Sequence, residues 1–278
     1  MAKPGALSES ILLHQRRWAE QRCIDLSEAG HALGSNANLM QPLSPPTRAE
    51  LEWAPRRPLG DGAKPADLQL LHSTDALLCN VFDYWREREL APLATACGAD
   101  SRTHGLRFAQ HSEEQSGPAP APPDLLLHGD DARATAIVAS FTEPYASQSQ
   151  PGEEIGRVVE CTELRESLPG CHNLARDLDA NRGRYRALPV VRLLELCREL
   201  TRRHGRRGFR LLYLWYDADG LCSGRHSREI DRFRMRVGGE VDFEARSWQE
   251  LFQRLRGEGA DHRHYLDYLR TRYFPSSL

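Results

Sequence analysis

Asp124-Leu125-Leu126-Leu127-His128-Gly129-Asp130-Asp131, followed by Ala134-Thr135-Ala136-Ile137-Val138-Ala139-Ser140-Phe141, decides the fold. The first run reads as a strand over 124–127 closed by a turn over 128–131, where Gly and Asp tolerate the backbone angles that a tight reversal needs. The second reads as a strand over 134–141. It is apolar at consecutive positions, so both of its faces must be covered, and it is predicted to lie in the centre of a sheet.

Upstream, Leu106-Arg107-Phe108 reads as a short strand, separated from the first run by a Gly/Pro/Ala loop over 113–123. Before it, Leu70, Leu71, Leu77, Leu78, Val81, Phe82 and Trp85 recur at helical spacing and predict one long helix over 67–89. A short helix over 91–97 follows and stops at Gly98. Downstream, the polar stretch 146–185 shows no assignable periodicity. Pro189 opens a helix striped with Val190, Leu193, Leu194, Cys197 and Leu200. Then come a buried strand over 209–216, a helix from Ser227, a short strand over 241–243, a capping box over Ser247–Glu250 and a last helix over 262–273. At the other end of the chain, 8–22 reads as a helix. Residues 30–63 read as an irregular arm, because Pro42, Pro45 and Pro46 break regular structure. The expected class is therefore α/β (α+β), with a small central mixed sheet flanked by helices. Residues 1–63 form a helical N-terminal extension packed on a domain over 64–278.

At 278 residues the chain can build a sizeable core, and its 40% hydrophobic and 27% charged residues are those of a globular protein. No run approaches the roughly 18 apolar residues of a membrane span, and no signal core is visible, so a cytoplasmic protein with no membrane partner is expected. A net charge of −2 excludes a basic coat for nucleic acid. Lys3 and Lys64 are the only lysines. Codon bias in a GC-rich genome accounts for such a preference for Arg, but it also limits the chemistry, because Arg does not exchange a proton near neutral pH. The seven cysteines are scattered without a CxxC pair, which speaks against a disulfide framework or a structural zinc.

Asp124 stands where paired strands would place a carboxylate on a divalent cation in a phosphodiesterase, although an Asp before a strand serves equally as a turn or cap residue. Glu113, Glu114, Glu143 and Glu160 are the other nearby acids. His262 and His264 point to different faces of a helix and read as surface residues. Arg202, Arg203, Arg206 and Arg207, together with Arg228, Arg232, Arg234 and Arg236, could follow a phosphate backbone or form solvated helix surfaces.

The stretches Leu71–Leu77, Asn80–Trp85, Ile137–Tyr145, Leu212–Asp217, His226–Val237, Val241–Phe243 and Ser247–Leu251 resemble a group of bacterial restriction-endonuclease-like proteins of the PD-(D/E)xK phosphodiesterase superfamily. The resemblance runs from about 8 to 274 and implies a restriction-endonuclease-like core. It also implies catalytic positions, and most are altered. Ala109 stands where the pattern has Glu, Val138 and Ser140 replace its Glu-x-Lys, and Arg192 replaces its Gln; Asp124 alone is kept. The first expectation is thus a nuclease-derived pseudoenzyme without cofactor that binds nucleic acid or a protein partner. Arg192, Arg202, Arg203, Arg206 and Arg207 would contact the nucleic acid. The second is an active Mg²⁺-dependent DNA endonuclease, with Asp124 as metal ligand and Glu143 or Glu160 completing the site. The third is a structural domain without a ligand.

Overall fold

The computed structural model describes residues 4–52, 67–108, 122–130, 133–145, 153–218 and 221–275. Its centre is β3 (Ala134–Ser140), buried at every position. Neighbouring side chains enter different cores, as a period of two requires. Ile137 and Ala139 join one cluster; Ala134, Ala136 and Val138 join the other. β4 (Phe209–Trp215) runs parallel to β3, in register from Ala134↔Phe209 to Ser140↔Trp215, and β5 (Phe243–Ser247) runs parallel to β4. On the other side, β2 (Leu125–His128) is antiparallel to β3, and β1 (Gly105–Phe108) is antiparallel to β2. The sheet order is β1-β2-β3-β4-β5.

Parallel neighbours need long crossovers, and these supply one helical layer. α5 (Glu153–Val159), α6 (Thr162–Ser167), α7 (Pro169–Asp179) and α8 (Val190–His204) join β3 to β4; α9 (Leu221–Val237) joins β4 to β5. Leu164, Leu174, Leu193, Leu200 and Phe233 from these helices cover the second face. The first face is covered by α1 (Pro4–Gln21), α2 (Pro45–Glu52), α3 (Thr74–Phe82), α4 (Ala91–Cys97), α10 (Trp248–Glu258) and α11 (Arg263–Arg272). Ile11, Trp18 and Leu51 share that core with Trp85, Trp248 and Tyr265, so the N-terminal segment and the rest of the chain have one apolar interior here. Among the described residues no helix is long and apolar enough to cross a membrane.

The α/β class, the small mixed sheet between helices and the helical N-terminal segment stand as read; several boundaries do not. The helix expected over 67–89 is broken into a 3-10 turn (Asp67–Gln69), α3 and a second 3-10 turn (Asp83–Trp85). Ser73 starts α3 by accepting the N–H groups of Asp75 (3.0 Å) and Ala76 (3.3 Å). The segment expected to be irregular contains α2, since Pro45 and Pro46 fall in its first turn, where no N–H is missed. The last strand lies at 243–247, not 241–243: Glu244 and Arg246 are accommodated by pairing with each other, and Arg246 donates to the Ala96 carbonyl at the end of α4. α9 begins before Ser227, and 153–179 is helical. The capping box forms as read, with Ser247 Oγ accepting from Glu250 N–H (3.1 Å) and Glu250 accepting from Ser247 N–H (2.7 Å). His262 is half-buried rather than on the surface, 2.8 Å from the Tyr84 hydroxyl.

Two buried polar groups fasten the layers. Arg272, fully buried, donates to the Asn38 carbonyl (2.7 Å), the Asn38 side chain, Tyr268 Oη (2.6 Å) and Gln15 Oε1 (3.2 Å), and lies over Trp18 at 4.2 Å. Its acceptors are all neutral. His226, also fully buried, sits 3.1 Å from Tyr213 Oη and against the Trp215 ring. Burial pushes the His226 imidazole down to about 3. In the unfolded chain it titrates near 6.5, so between these values only the unfolded chain takes the proton. Stability therefore falls as pH drops below about 6.5, by up to about 1.4 kcal/mol per pH unit from this group. Urea unfolding at pH 7.5 and pH 5 should show His226→Leu losing about 1–2 kcal/mol less than the native chain across that interval; equal losses would refute the assignment.

Candidate functional site

The C-terminal end of β3 carries a cleft of about 350 Å³ lined by His72, Ser73, Thr74, Asp75, Asp124, Ala139, Thr142, Glu143 and Arg192, among others. The topology explains why these groups meet. Asp124 precedes β2, and antiparallel pairing of Leu125 with Ile137 sets it beside Val138 and Ala139. Its own N–H donates to the Ile137 carbonyl (2.9 Å). Ser73–Asp75 arrive at the start of α3, and Glu143 starts a 3-10 turn just after the strand. Arg192 reaches over from the first turn of α8.

Asp124 is 2% exposed, and both carboxylate oxygens are engaged. Oδ2 accepts from the Ala139 N–H (2.8 Å) and from Arg192 Nη1 (3.2 Å); Oδ1 accepts from Arg192 Nη2 (2.9 Å). Arg192 Nη2 also donates to the Pro122 carbonyl (3.0 Å). This is the bidentate fork that guanidinium and carboxylate geometry favours. Burial works against the charge on Arg192, but Asp124 overrides it and holds the guanidinium above its ordinary value.

Glu143 faces the same cleft. Its Oε1 accepts from Thr74 Oγ1 (2.6 Å) and its Oε2 from the Phe141 N–H (2.7 Å). His72 lies half-buried nearby, lowered by burial against the opposing pull of Glu143, so it is neutral at pH 7. The cleft thus holds three carboxylates, Asp75, Asp124 and Glu143, and one guanidinium.

Mg²⁺ takes near-octahedral oxygen ligands and is held through one or two carboxylates. Asp124 does not fit that role, because a guanidinium already occupies both of its oxygens and puts positive charge where the ion would sit. Among the described residues no group of three or more His, Cys, Asp or Glu side chains is arranged to hold a metal ion. The residues present therefore do not fit a magnesium centre.

The other sequence-derived positions scatter. Val138 is packed in the second core, and Ser140 is buried with its carbonyl accepting from Trp248 Nε1 (3.0 Å). Glu160 is exposed after α5 and does not line the cleft. Ala109, Glu113 and Glu114 lie outside the described residues. Arg202 and Arg203 pair with Glu199 at the far end of α8, with Arg206 and Arg207 exposed just beyond. Ten residues separate Arg192 from Arg202, about 15 Å along the helix. The structure thus brings together Asp124, Glu143 and Arg192, and does not bring the Arg202–Arg207 cluster to them. The reading from sequence missed His72, Thr74 and Asp75. The Ser73 cap followed by Asp75 is the signal that could have marked a helix start there.

No protein-family model, curated protein or solved structure matched the chain.

Removing one member of a buried ion pair strands the other. Arg192 still meets solvent along its outer part, with 29% of its side chain exposed, so the loss falls below that of a fully buried pair. Arg192→Met should lower unfolding free energy by about 2–3 kcal/mol. Asp124→Asn with Arg192→Met should cost clearly less than the two single changes added together. Additive losses in a denaturant-melt cycle would mean that the pair is not coupled.

Proposed function

We propose that this chain is a restriction-endonuclease-like protein that binds nucleic acid without cutting it. The observation that carries the reading is the bidentate lock of Arg192 on Asp124. In the family that the sequence resembles, that aspartate would hold the divalent ion; here its charge is spent on a guanidinium.

Further features support the same reading. An antiparallel β1-β2-β3 unit followed by helices and a parallel β4 is compatible with a nuclease-type core. The positions matching the missing Glu and Lys, Val138 and Ser140, are buried parts of the sheet. No lysine other than Lys3 and Lys64 exists to replace the lost one, and Arg192 cannot shuttle a proton at neutral pH. The cleft itself repels phosphate, since three carboxylates outnumber one guanidinium there. The backbone of a nucleic acid is therefore bound outside it.

Supercoiled plasmid incubated with excess protein and Mg²⁺ or Mn²⁺ should remain uncut, while the same preparation retards a 20-base-pair duplex at low salt. Calorimetric titration with Mg²⁺ should give no binding heat. Metal-dependent cleavage that disappears in Asp124→Ala would establish the active endonuclease instead. Failure to retain duplex or single strand at low salt would leave a structural domain.

A further inference from the structure

The sequence runs divide: Arg206, Arg207, Arg228 and Arg232 are exposed without a direct ion pair among the described residues, whereas four others are paired. Arg202, Arg203, Arg234 and Arg236 each face an acid: Glu199 for the first two, Asp231 and Asp177 for the others. Arg182, Arg184, Arg186, Arg225 and Arg228 are exposed, and among the described residues none makes a direct ion pair with an acid, although Asp177 acts on Arg182 at longer range. The first three sit on the connection between α7 and α8, and the other two on α9.

That connection is built with care for its shape. Glu229, buried on α9, accepts the N–H groups of Arg186 (3.0 Å), Ala187 (2.9 Å) and Leu188 (3.0 Å). A buried carboxylate thus holds the backbone of the connection in place, and it makes no direct ion pair with the arginine side chains around it. Tyr185 is buried between them as an anchor, with the Arg232 guanidinium 5.5 Å from its ring, and Arg232 Nη1 donates to the Arg184 carbonyl (3.2 Å). Asn181 takes a left-handed conformation, φ 53°, where the chain leaves α7. On α9, Arg225, Arg228 and Arg232 follow at spacings of three and four, so they share one face over about 10 Å. This connection leads directly into the turn of α8 that carries Arg192, at the same end of the sheet as the cleft.

We infer that Arg182, Arg184, Arg186, Arg225, Arg228 and Arg232 form a preorganised track for the phosphates of duplex nucleic acid. The inference rests on the reading of the protein as a nucleic-acid binder and gives it a surface. Guanidinium groups suit phosphate oxygens as paired donors. The track has no apolar component to enter a bilayer or to core a protein interface: Met235 is the single large apolar side chain exposed on the described part of α9.

Fluorescence anisotropy with a labelled 20-base-pair duplex, from 50 to 300 mM salt, tests it. Six contacts predict a log–log salt slope of about −5. Arg184→Ala/Arg186→Ala/Arg228→Ala should flatten the slope by about 3 and weaken binding more than 100-fold at 100 mM salt. Arg17→Ala/Arg263→Ala, on the opposite helical layer, should stay within threefold of the native chain, with matching thermal melts for all variants. Native binding that the triple variant leaves intact, or that Arg206→Ala/Arg207→Ala removes instead, would overturn the track while leaving the binding function. Absence of native binding to any nucleic acid would overturn both. Capture by phosphatidylserine vesicles with no duplex binding would assign the track to a lipid surface and refute the inference.

Discussion

The guanidinium of Arg192 closes on a carboxylate that the sheet has already tied to its own backbone. Asp124 accepts from Ala139 of the central strand, and Arg192 binds both its oxygens and the Pro122 carbonyl. One interaction thereby joins the entrance to β2, the end of β3 and the start of α8. It also decides the electrostatics of the cleft, because the carboxylate best placed for a cation is neutralised internally. What remains facing the opening is Glu143 and Asp75, set by Thr74, by the backbone of Phe141 and by the beginning of α3.

Charge is therefore divided along this end of the sheet. Acids line the concave part, and arginines stand outside it on α9 and on the connection before α8. Glu229 fixes the shape of that connection: its carboxylate accepts four hydrogen bonds from three backbone amides. A chain with a net charge of −2 can in this way present a locally basic surface.

Much of the sheet was legible because its signals are local. Continuous burial marked β3 and β4, the His128–Asp130 turn ended β2, and Gly98, at φ 67°, ended α4 as its position required. The helices over 153–179 were missed although Leu164, Leu168, Cys171, Ala175 and Leu178 recur at spacings of four and three; polar neighbours diluted that stripe below notice. The break at Leu70–Ser73 was masked because Leu70, Leu71 and Leu77 continue a helical rhythm across it. β5 was displaced because Glu244 and Arg246 look like loop residues until their partners are known, Arg210 on β4 for Glu244 and the Ala96 carbonyl at the end of α4 for Arg246. At the site, Asp124 and Arg192 were both singled out, but 68 residues separate them and nothing local reveals their contact. Of the arginines singled out from the sequence, Arg202, Arg203, Arg234 and Arg236 pair with Glu199, Asp231 and Asp177, which a count of neighbouring arginines does not reveal.

The guanidinium of Arg272 ties the two helices nearest the ends of the described chain through Gln15, Asn38 and the Trp18 ring, with no counter-ion in its shell among the described residues. A cation solvated only by amides, hydroxyls and ring faces loses its solvation as soon as one contributing segment detaches. Fraying of the first helix would thus expose a bare charge inside the last one, so neither can come loose alone. Split at an interior loop, the protein would behave as two complementary fragments that re-associate through their outermost helices.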